Sequence, residues 1–325
     1  MPNRNSLEGR VAVVTGAGRG IGRATAFALA ERGAHVVVND LGAALSGETA
    51  SPASGPSSAS APALAETVAE EIRAAGGTAV ANLDSVAEWA SAKRIIDAAI
   101  TNWGRIDFLV NNAGLSATAP LWEQDPEHFD RVVRSHLHGT FYCMRAAAPH
   151  MKERGFGRIV NLVSRAGLLG VPNQSAYAAG KGGVFGLTNV ASRDLAEFGI
   201  TVNAVNPAAT ETRMVTTAID AFTKQGGAAA KMAEGLAAAL QPSENVAALI
   251  VALCLEGLVQ IEGDQNRAGS NGEVFYLEKN RLAVFNPLEV DQERDSPDTW
   301  TPESLLEAIN SFTPHTQSVV YRDDA

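Results

Sequence analysis

Short apolar runs alternate along this chain with longer stretches of helical periodicity. The runs Val11–Thr15, His35–Asp40, Ala79–Leu83, Phe108–Asn111, Arg158–Ser164, Thr201–Asn206 and Glu273–Leu277 are strand candidates. Most are continuously apolar, which marks strands buried on both faces and hence a parallel sheet covered by helices. Helices are expected over Ile21–Arg32, Leu64–Ala75, Val86–Trp103, Pro126–Arg154, Ser175–Phe198 and Ser243–Leu255. Alternation of strand and helix implies right-handed crossovers, so the expected fold is α/β and doubly wound, with a parallel sheet between two helical layers.

Two segments break this rhythm. Residues 42–62 are rich in Ala, Ser, Pro and Gly and bury too little to order themselves, so a flexible surface insertion is expected there. The segment after the last strand, residues 285–325, reads as a C-terminal extension to one domain of residues 1–284. Within it Thr301 is a candidate cap and Pro302 a candidate first residue of a helix running to about Asn310. A third segment, residues 213–241, carries Met214, Val215, Ile219, Phe222, Met232, Leu236 and Leu240 among many Ala and Gly. It is expected to be a mobile lid over an apolar substrate pocket.

Composition narrows the class. The 325 residues carry 26 Lys and Arg against 36 Asp and Glu, a formal charge of −10, and no basic run. An acidic surface repels phosphate backbones, so no nucleic-acid partner is expected. No apolar run is long enough for a membrane helix, and Met1–Arg10 is polar with no secretory core, so the expected location is cytoplasmic with no membrane partner. Two isolated cysteines, Cys143 and Cys254, make no disulfide framework and read as buried small hydrophobes. His136 and His138 are two apart and do not face each other on a helix, and no cluster has ligand spacing, so no metal is expected.

The first strand runs into Thr15-Gly16-Ala17-Gly18-Arg19-Gly20-Ile21-Gly22 and then a helix. Glycines at such a turn let the backbone approach a pyrophosphate, and the helix start offers free N–H groups and a positive dipole end. The second strand ends at Asp40, 24 residues after Gly16. A carboxylate there accepts from both adenosine ribose hydroxyls and repels a 2′-phosphate, so the expected cofactor is NAD rather than NADP. Arg19 opposes this preference, because a cation in the glycine loop is within reach of a 2′-phosphate. Asp84 and Ser85, after the third strand, are placed to meet the adenine. Asn112, Ala113 and Gly114, after the fourth, let the chain pass beneath a ribose. All lie at carboxyl ends of strands, where open α/β sheets bind ligands.

Tyr177 and Lys181 are four apart on one helix face. A neighbouring ammonium, together with an oxidised nicotinamide, is expected to lower the tyrosine pKa towards the range useful for proton transfer. Tyr177 can then take the proton of an alcohol while hydride leaves for the cofactor. Ser164, 13 residues earlier at a strand end, can hold the substrate oxygen.

Taken together, Thr15–Gly22, Asn111–Gly114, Ser164, Tyr177 and Lys181 resemble, in order and spacing, the motif set of the short-chain dehydrogenase/reductase family. The resemblance spans about residues 7 to 277. It implies a seven-stranded Rossmann-like sheet, a bound nicotinamide nucleotide touching Tyr177 and Lys181, and Ser-Tyr-Lys chemistry. It also implies a homotetramer or homodimer pairing through Pro126–Arg154 and Ser175–Phe198. Val38–Gly42, Ala79–Val86 and Arg134–Gly139 are similar to the hydroxyacyl-CoA dehydrogenase domain of peroxisomal multifunctional enzyme type 2 and its bacterial relatives. That similarity implies a 3-hydroxyacyl-CoA, a steroid-like alcohol or another apolar secondary alcohol as small-molecule substrate.

Two positions depart from the family pattern. His136 stands where the family often has an Asn whose backbone carbonyl supports a water linked to the Lys. His136 keeps that carbonyl, or joins a proton path through its ring, since an ordinary histidine titrates near neutrality. Ala208 follows Pro207 where the family usually has Gly. By position Pro207, Thr210 and Thr212 border the cofactor, with Thr212 on the carboxamide. An epimerase or dehydratase with bound NAD, and a nucleotide sensor of the same fold, remain alternatives. The intact Ser164, Tyr177 and Lys181 count against the sensor.

Overall fold

The structure is a computed structural model that describes residues 6–42, 63–116, 118–255, 270–285 and 302–311. The chain divides into two units, residues 1–284 and 285–325. In the first, eight strands form one sheet: β1 (Val11–Thr15), β2 (His35–Asn39), β3 (Thr78–Asn82), β4 (Phe108–Asn111), β5 (Gly157–Leu162), β6 (Ile200–Pro207), β7 (Val274–Glu278) and β8 (Arg281–Phe285). Their order is β3-β2-β1-β4-β5-β6-β7-β8, and the pairs from β3 through β7 are parallel.

The helices are α1 (Gly20–Ala30), α2 (Leu64–Ala74), α3 (Trp89–Trp103), α4 (Pro126–Val133), α5 (Gly139–Arg154), α6 (Arg165–Leu169), α7 (Ser175–Ala196), α8 (Arg213–Gln225), α9 (Gly227–Ala238) and α10 (Ser243–Cys254). Successive strand residues point to opposite faces. Val14, Val36, Val38, Val110 and Val205 therefore meet Leu29 of α1, Ile72 of α2 and Ile250 of α10. Their neighbours Val11, Val13, Val37, Leu109 and Val202 meet Ile95 of α3, Met144 and Met151 of α5 and Leu195 of α7. Two cores on one sheet are why the strands read as continuous apolar runs.

The order reverses between β1 and β4, which pair directly, Val13 opposite Leu109 and Val14 opposite Val110. Such a switch point opens a crevice beyond the carboxyl ends of the strands.

Three sequence expectations change. The sheet has eight strands, not seven: β7 and β8 are neighbours joined through Lys279 and Asn280 alone, a connection too short for anything but an antiparallel pair. The helix expected over Pro126–Arg154 is interrupted by a π-helical turn, Arg134–His138. Periodicity does not reveal one extra residue in a turn, and such turns gather at functional sites. The expected lid contains two helices, α8 and α9, parted at Gly226, whose φ is 75°. The 42–62 insertion lies outside the described residues apart from Gly42. In the second unit the described part is one helix, α11 (Pro302–Ser311), and its expected cap, Thr301, lies outside them.

Candidate active site

The glycine loop is shaped by close approach. A Cβ on Gly22 would lie 2.2 Å from the carbonyl oxygen of Gly16, so no side chain fits where α1 begins. Asn112 Nδ2 donates to the carbonyls of Thr15 and Gly16, both at 3.0 Å, tying the end of β4 to the loop. The backbone N–H groups of Asn112 and Ala113 donate to Thr15 Oγ1, each at 3.1 Å. Arg19 precedes α1 without a side-chain cap, and the first turn holds no acidic residue. Donors at this helix start, beside a positive dipole end, suit a phosphate.

Asp40 sits one residue past β2. Its Oδ2 accepts from Gly18 N at 2.9 Å and its Oδ1 from Gly42 N at 2.7 Å. Each oxygen keeps a lone pair for a ribose hydroxyl. A dinucleotide therefore fits the donors of the loop and the acceptor that follows β2.

Other expected cofactor residues are engaged with the protein. Asp84 accepts from Arg94 Nε at 2.8 Å and from Asn82 Nδ2 at 3.0 Å. Ser85 Oγ accepts from Ala87 N at 3.1 Å and shapes the turn before α3. Ile21 accepts from Thr25 Oγ1 at 2.7 Å through its carbonyl. Pro207 ends β6, and Thr210, 2% exposed, donates its hydroxyl to Ala208 O at 2.9 Å. Thr212 caps α8 through Val215 N at 3.4 Å.

Ser164 lies beyond β5 as the cap of α6, accepting from Ala166 N at 3.3 Å. A side-chain hydrogen bond joins it to Tyr177 on α7. Lys181, one turn on and 5% exposed, donates from Nζ to Leu162 O at 2.5 Å. The structure thus gathers Ser164, Tyr177 and Lys181 at the carboxyl end of β5. Burial pushes the Lys181 ammonium down to about 7. Burial also raises the Tyr177 phenol, and the Ser164 bond only partly offsets it. In the chain alone, desolvating the phenolate outweighs its neighbours; the expected fall is for a site that also holds an oxidised nicotinamide.

His136 is held by its ring. It lies in the π-turn, 2% exposed, with Nε2 at 2.7 Å from Leu115 O and its edge on the Tyr177 ring at 5.1 Å between centroids. Burial, then the Lys181 charge, lower its pKa to about 3. The ring is neutral at physiological pH, so the expectation of titration near neutrality does not hold. A Cβ on Gly114 would lie 2.0 Å from His136 Cε1; the glycine after β4 is there to admit this ring.

Several supporting residues carry no motif. Asn111 Nδ2 donates to Asn161 Oδ1 and Asn161 Nδ2 to Thr188 Oγ1, both at 2.9 Å, aligning β4, β5 and α7 through the core. Asn206 Oδ1 accepts from Arg165 N at 3.2 Å, pinning the turn after Ser164. Asparagines inside otherwise apolar strands were the available signal, since a buried amide demands partners. Among the described residues no group of three or more His, Cys, Asp or Glu is placed to hold a metal. Nor is any helix among them long and apolar enough to cross a membrane.

This combination of sheet order, glycine turn and Ser-Tyr-Lys set defines a class, and the chain belongs to the short-chain dehydrogenase family, whose family model matches residues 10–61 and 53–221. It is 36% identical over 317 residues to the peroxisomal hydratase-dehydrogenase-epimerase of Saccharomyces cerevisiae, covering 97% of this chain and 31% of that protein. The chain therefore spans about a third of that multifunctional relative. It is 33% identical over 323 residues to the hydroxyacyl-CoA dehydrogenase ChsB1 of Mycobacterium tuberculosis, covering 95% of this chain and 90% of that one. A crystal structure of a short chain dehydrogenase from Mycobacterium avium superposes with a TM-score of 0.73 at 35% identity, covering 93% of this chain and 94% of that one.

Proposed function

We propose that this protein is an NAD(H)-dependent oxidoreductase that interconverts a secondary alcohol and a ketone, with Tyr177 as general acid/base. The observation that carries the reading is the constellation in which part-buried Ser164 bonds part-buried Tyr177 and the buried Lys181 lies one turn away. In reduction, the phenol of Tyr177 gives its proton to the ketone oxygen. Ser164 holds that oxygen as negative charge develops. In oxidation, Tyr177 takes the alcohol proton, which requires its phenolate. An oxidised nicotinamide held beside Tyr177 would accept the hydride and supply positive charge. Lys181 is charged or neutral near pH 7 according to what else is bound, because burial has moved it into that range. His136, being neutral, holds Leu115 and the loop after β4 rather than carrying a proton.

The preference for NAD rests on Asp40, the residue that follows β2. The proposed substrate is a 3-hydroxyacyl-CoA or similar apolar secondary alcohol, a reading supported by the name of the M. tuberculosis relative. The α8–α9 segment would be its lid, and residues 285–325 an extension of the dehydrogenase domain. The assembly proposed is a homo-oligomer pairing through α4–α5 and α7, where Phe141 and Val190 are exposed in the single chain. A reducing cytoplasm is the proposed location, supported by Cys143 and Cys254 as free buried thiols.

Tyr177→Phe tests the mechanism: turnover of secondary alcohols is lost and NAD binding, followed by calorimetry, persists. Unchanged turnover would sink it. Titration of the wild type with NAD and NADP tests Asp40; tighter NADP binding would show that Arg19 outweighs it.

A further inference from the structure

The turn after β3 is tied to the strand end that carries Asp40. Asp40 N donates to Asn82 O at 3.1 Å. Asn39 Nδ2 donates to Asn82 Oδ1 and to Asp84 O, both at 2.8 Å, and Asp84 N donates to Asn82 Oδ1 at 3.0 Å. One network therefore fixes the backbone of Asp84 beside the ribose acceptor. The phosphate cradle follows β1 and the ribose acceptor follows β2, so the base attached to that ribose comes next, at the end of β3. Leu41 and Leu83, the neighbours of Asp40 and Asp84 in the chain, are exposed apolar side chains that such a base would cover.

The Asp84 carboxylate is held at two points. Asn82 Nδ2 donates to Oδ2 at 3.0 Å. Arg94, on α3, donates to Oδ1 through Nε at 2.8 Å and also through Nη2. Arg94 is itself braced on the first turn of α3, where Nη2 donates to Ser91 Oγ at 2.7 Å and Nη1 to Ala90 O at 3.3 Å. Four of the five N–H groups of its guanidinium are thus engaged by the protein, so it holds Asp84 rather than reaching for a ligand. A carboxylate oxygen has two lone pairs, which leaves Oδ1 filled and Oδ2 with one open. The side chains of Arg94 and Asp84 are 56% and 21% exposed, and an ion pair so exposed adds little to stability. Its effect is on where the carboxylate points, and a base lying over it would exclude water and strengthen that effect.

We propose that Arg94 is a positioning residue that sets the base selectivity of the cofactor site, by filling one oxygen of Asp84 and turning the other towards the 6-position of the base. The open lone pair of Oδ2 accepts the 6-amino N–H of adenine. Hypoxanthine presents a carbonyl oxygen at that position, so two acceptors meet with no proton between them. Its edge donor is one atom away, at N1. A carboxylate free to turn could take that proton, and the brace from Arg94 prevents the turn. The inference rests on the cofactor site proposed above.

The probes are NAD and nicotinamide hypoxanthine dinucleotide, which differ only in the base. Calorimetry gives the two Kd values, and their ratio is the selectivity. The wild type should prefer NAD by roughly tenfold or more, the scale of one polar group left unpaired. Arg94→Met keeps the stem and removes the donors, and the ratio should fall to within about twofold of unity, since that contact supplies it. Arg94→Lys, a point charge without the fork, should fall between. Asp84→Asn, whose amide can donate to a 6-carbonyl, should turn the preference towards hypoxanthine. Thermal melting of Arg94→Met should match the wild type, which separates positioning from a structural role. A wild-type ratio kept in Arg94→Met would overturn the inference, as would an equal loss for both dinucleotides or a gain in NAD affinity. If Asp84→Asn leaves the ratio unchanged, Asp84 does not meet the base and the inference falls while the cofactor site stands. If the wild type binds neither dinucleotide, the cofactor reading itself fails.

Discussion

Replacing Gly114 with alanine tests whether the His136 ring stands where the site requires it. The new methyl would lie 2.0 Å from Cε1, 2.6 Å from Nδ1 and 2.8 Å from Nε2, against an ordinary contact of 3.4–4 Å. Gly114 does not use the left-handed backbone region, so the change acts through space alone. The ring has nowhere to go. Nε2 is bound to Leu115 O, the Tyr177 ring meets it edge-on, and a Cβ on Gly180 would already lie 3.0 Å from His136 Cβ. Clearing the methyl moves the ring by more than an ångström and breaks the bond to Leu115. Overpacking of this kind costs about 1–3 kcal/mol, and a lost buried hydrogen bond about 1–3 kcal/mol more. Gly114→Ala should therefore lower unfolding stability by about 2–6 kcal/mol. In a His136→Ala background the obstacle is gone, and the same change should cost under about 0.5 kcal/mol, as sites without contact do. Urea denaturation of the four proteins gives the cycle. An equal cost of Gly114→Ala in both backgrounds would refute the placement of the ring.

Lys181 should stabilise catalysis at the expense of the unliganded fold. Its pKa is about 7 when folded against an ordinary 10.5, so between those values the unfolded chain binds more protons and stability rises with pH. Lys181→Met should abolish turnover yet stabilise the cofactor-free protein at pH 7 by about 1–4 kcal/mol. That gain should shrink towards pH 10.5; a gain that ignores pH in thermal melts would contradict the cause given. Cys143 and Cys254, both fully buried with pKa values pushed up to about 12, should resist an aromatic disulfide reagent in the native state and react only as urea unfolds the chain. Rapid labelling of either without denaturant would show that its layer of the core opens locally.

What could be read in the sequence was what repeats or keeps a fixed interval. Seven strands announced themselves because each faces two cores, and Ser164, Tyr177 and Lys181 because strand end and helical turn fix their separation. The eighth strand was hidden: Arg281–Phe285 is mostly exposed, so it lacks the continuous apolar run that marked the others. The partners that set the chemistry were hidden too. Leu162 holds Lys181 through a backbone carbonyl, which any residue supplies, and Leu115 holds His136 in the same way. The rise at Tyr177 in the chain alone was hidden as well, because charge is visible in a sequence and burial is not.

The π-turn at Arg134–His138 separates the length of the chain at the catalytic centre from the seating of α5. That helix buries Gly139, Thr140, Cys143, Met144, Ala147 and Met151. One residue removed from the turn would restore ordinary helical winding and leave the later residues on their faces, because the turn absorbs one extra residue, whereas one removed at the start of α5 would swing every later residue by about 100° around the axis. Met144 and Met151 would leave the core and charged neighbours such as Arg145 and Lys152 would enter it. Chain length can therefore change by one residue at the turn as a local matter, whereas an insertion or deletion inside α5 is a change of core.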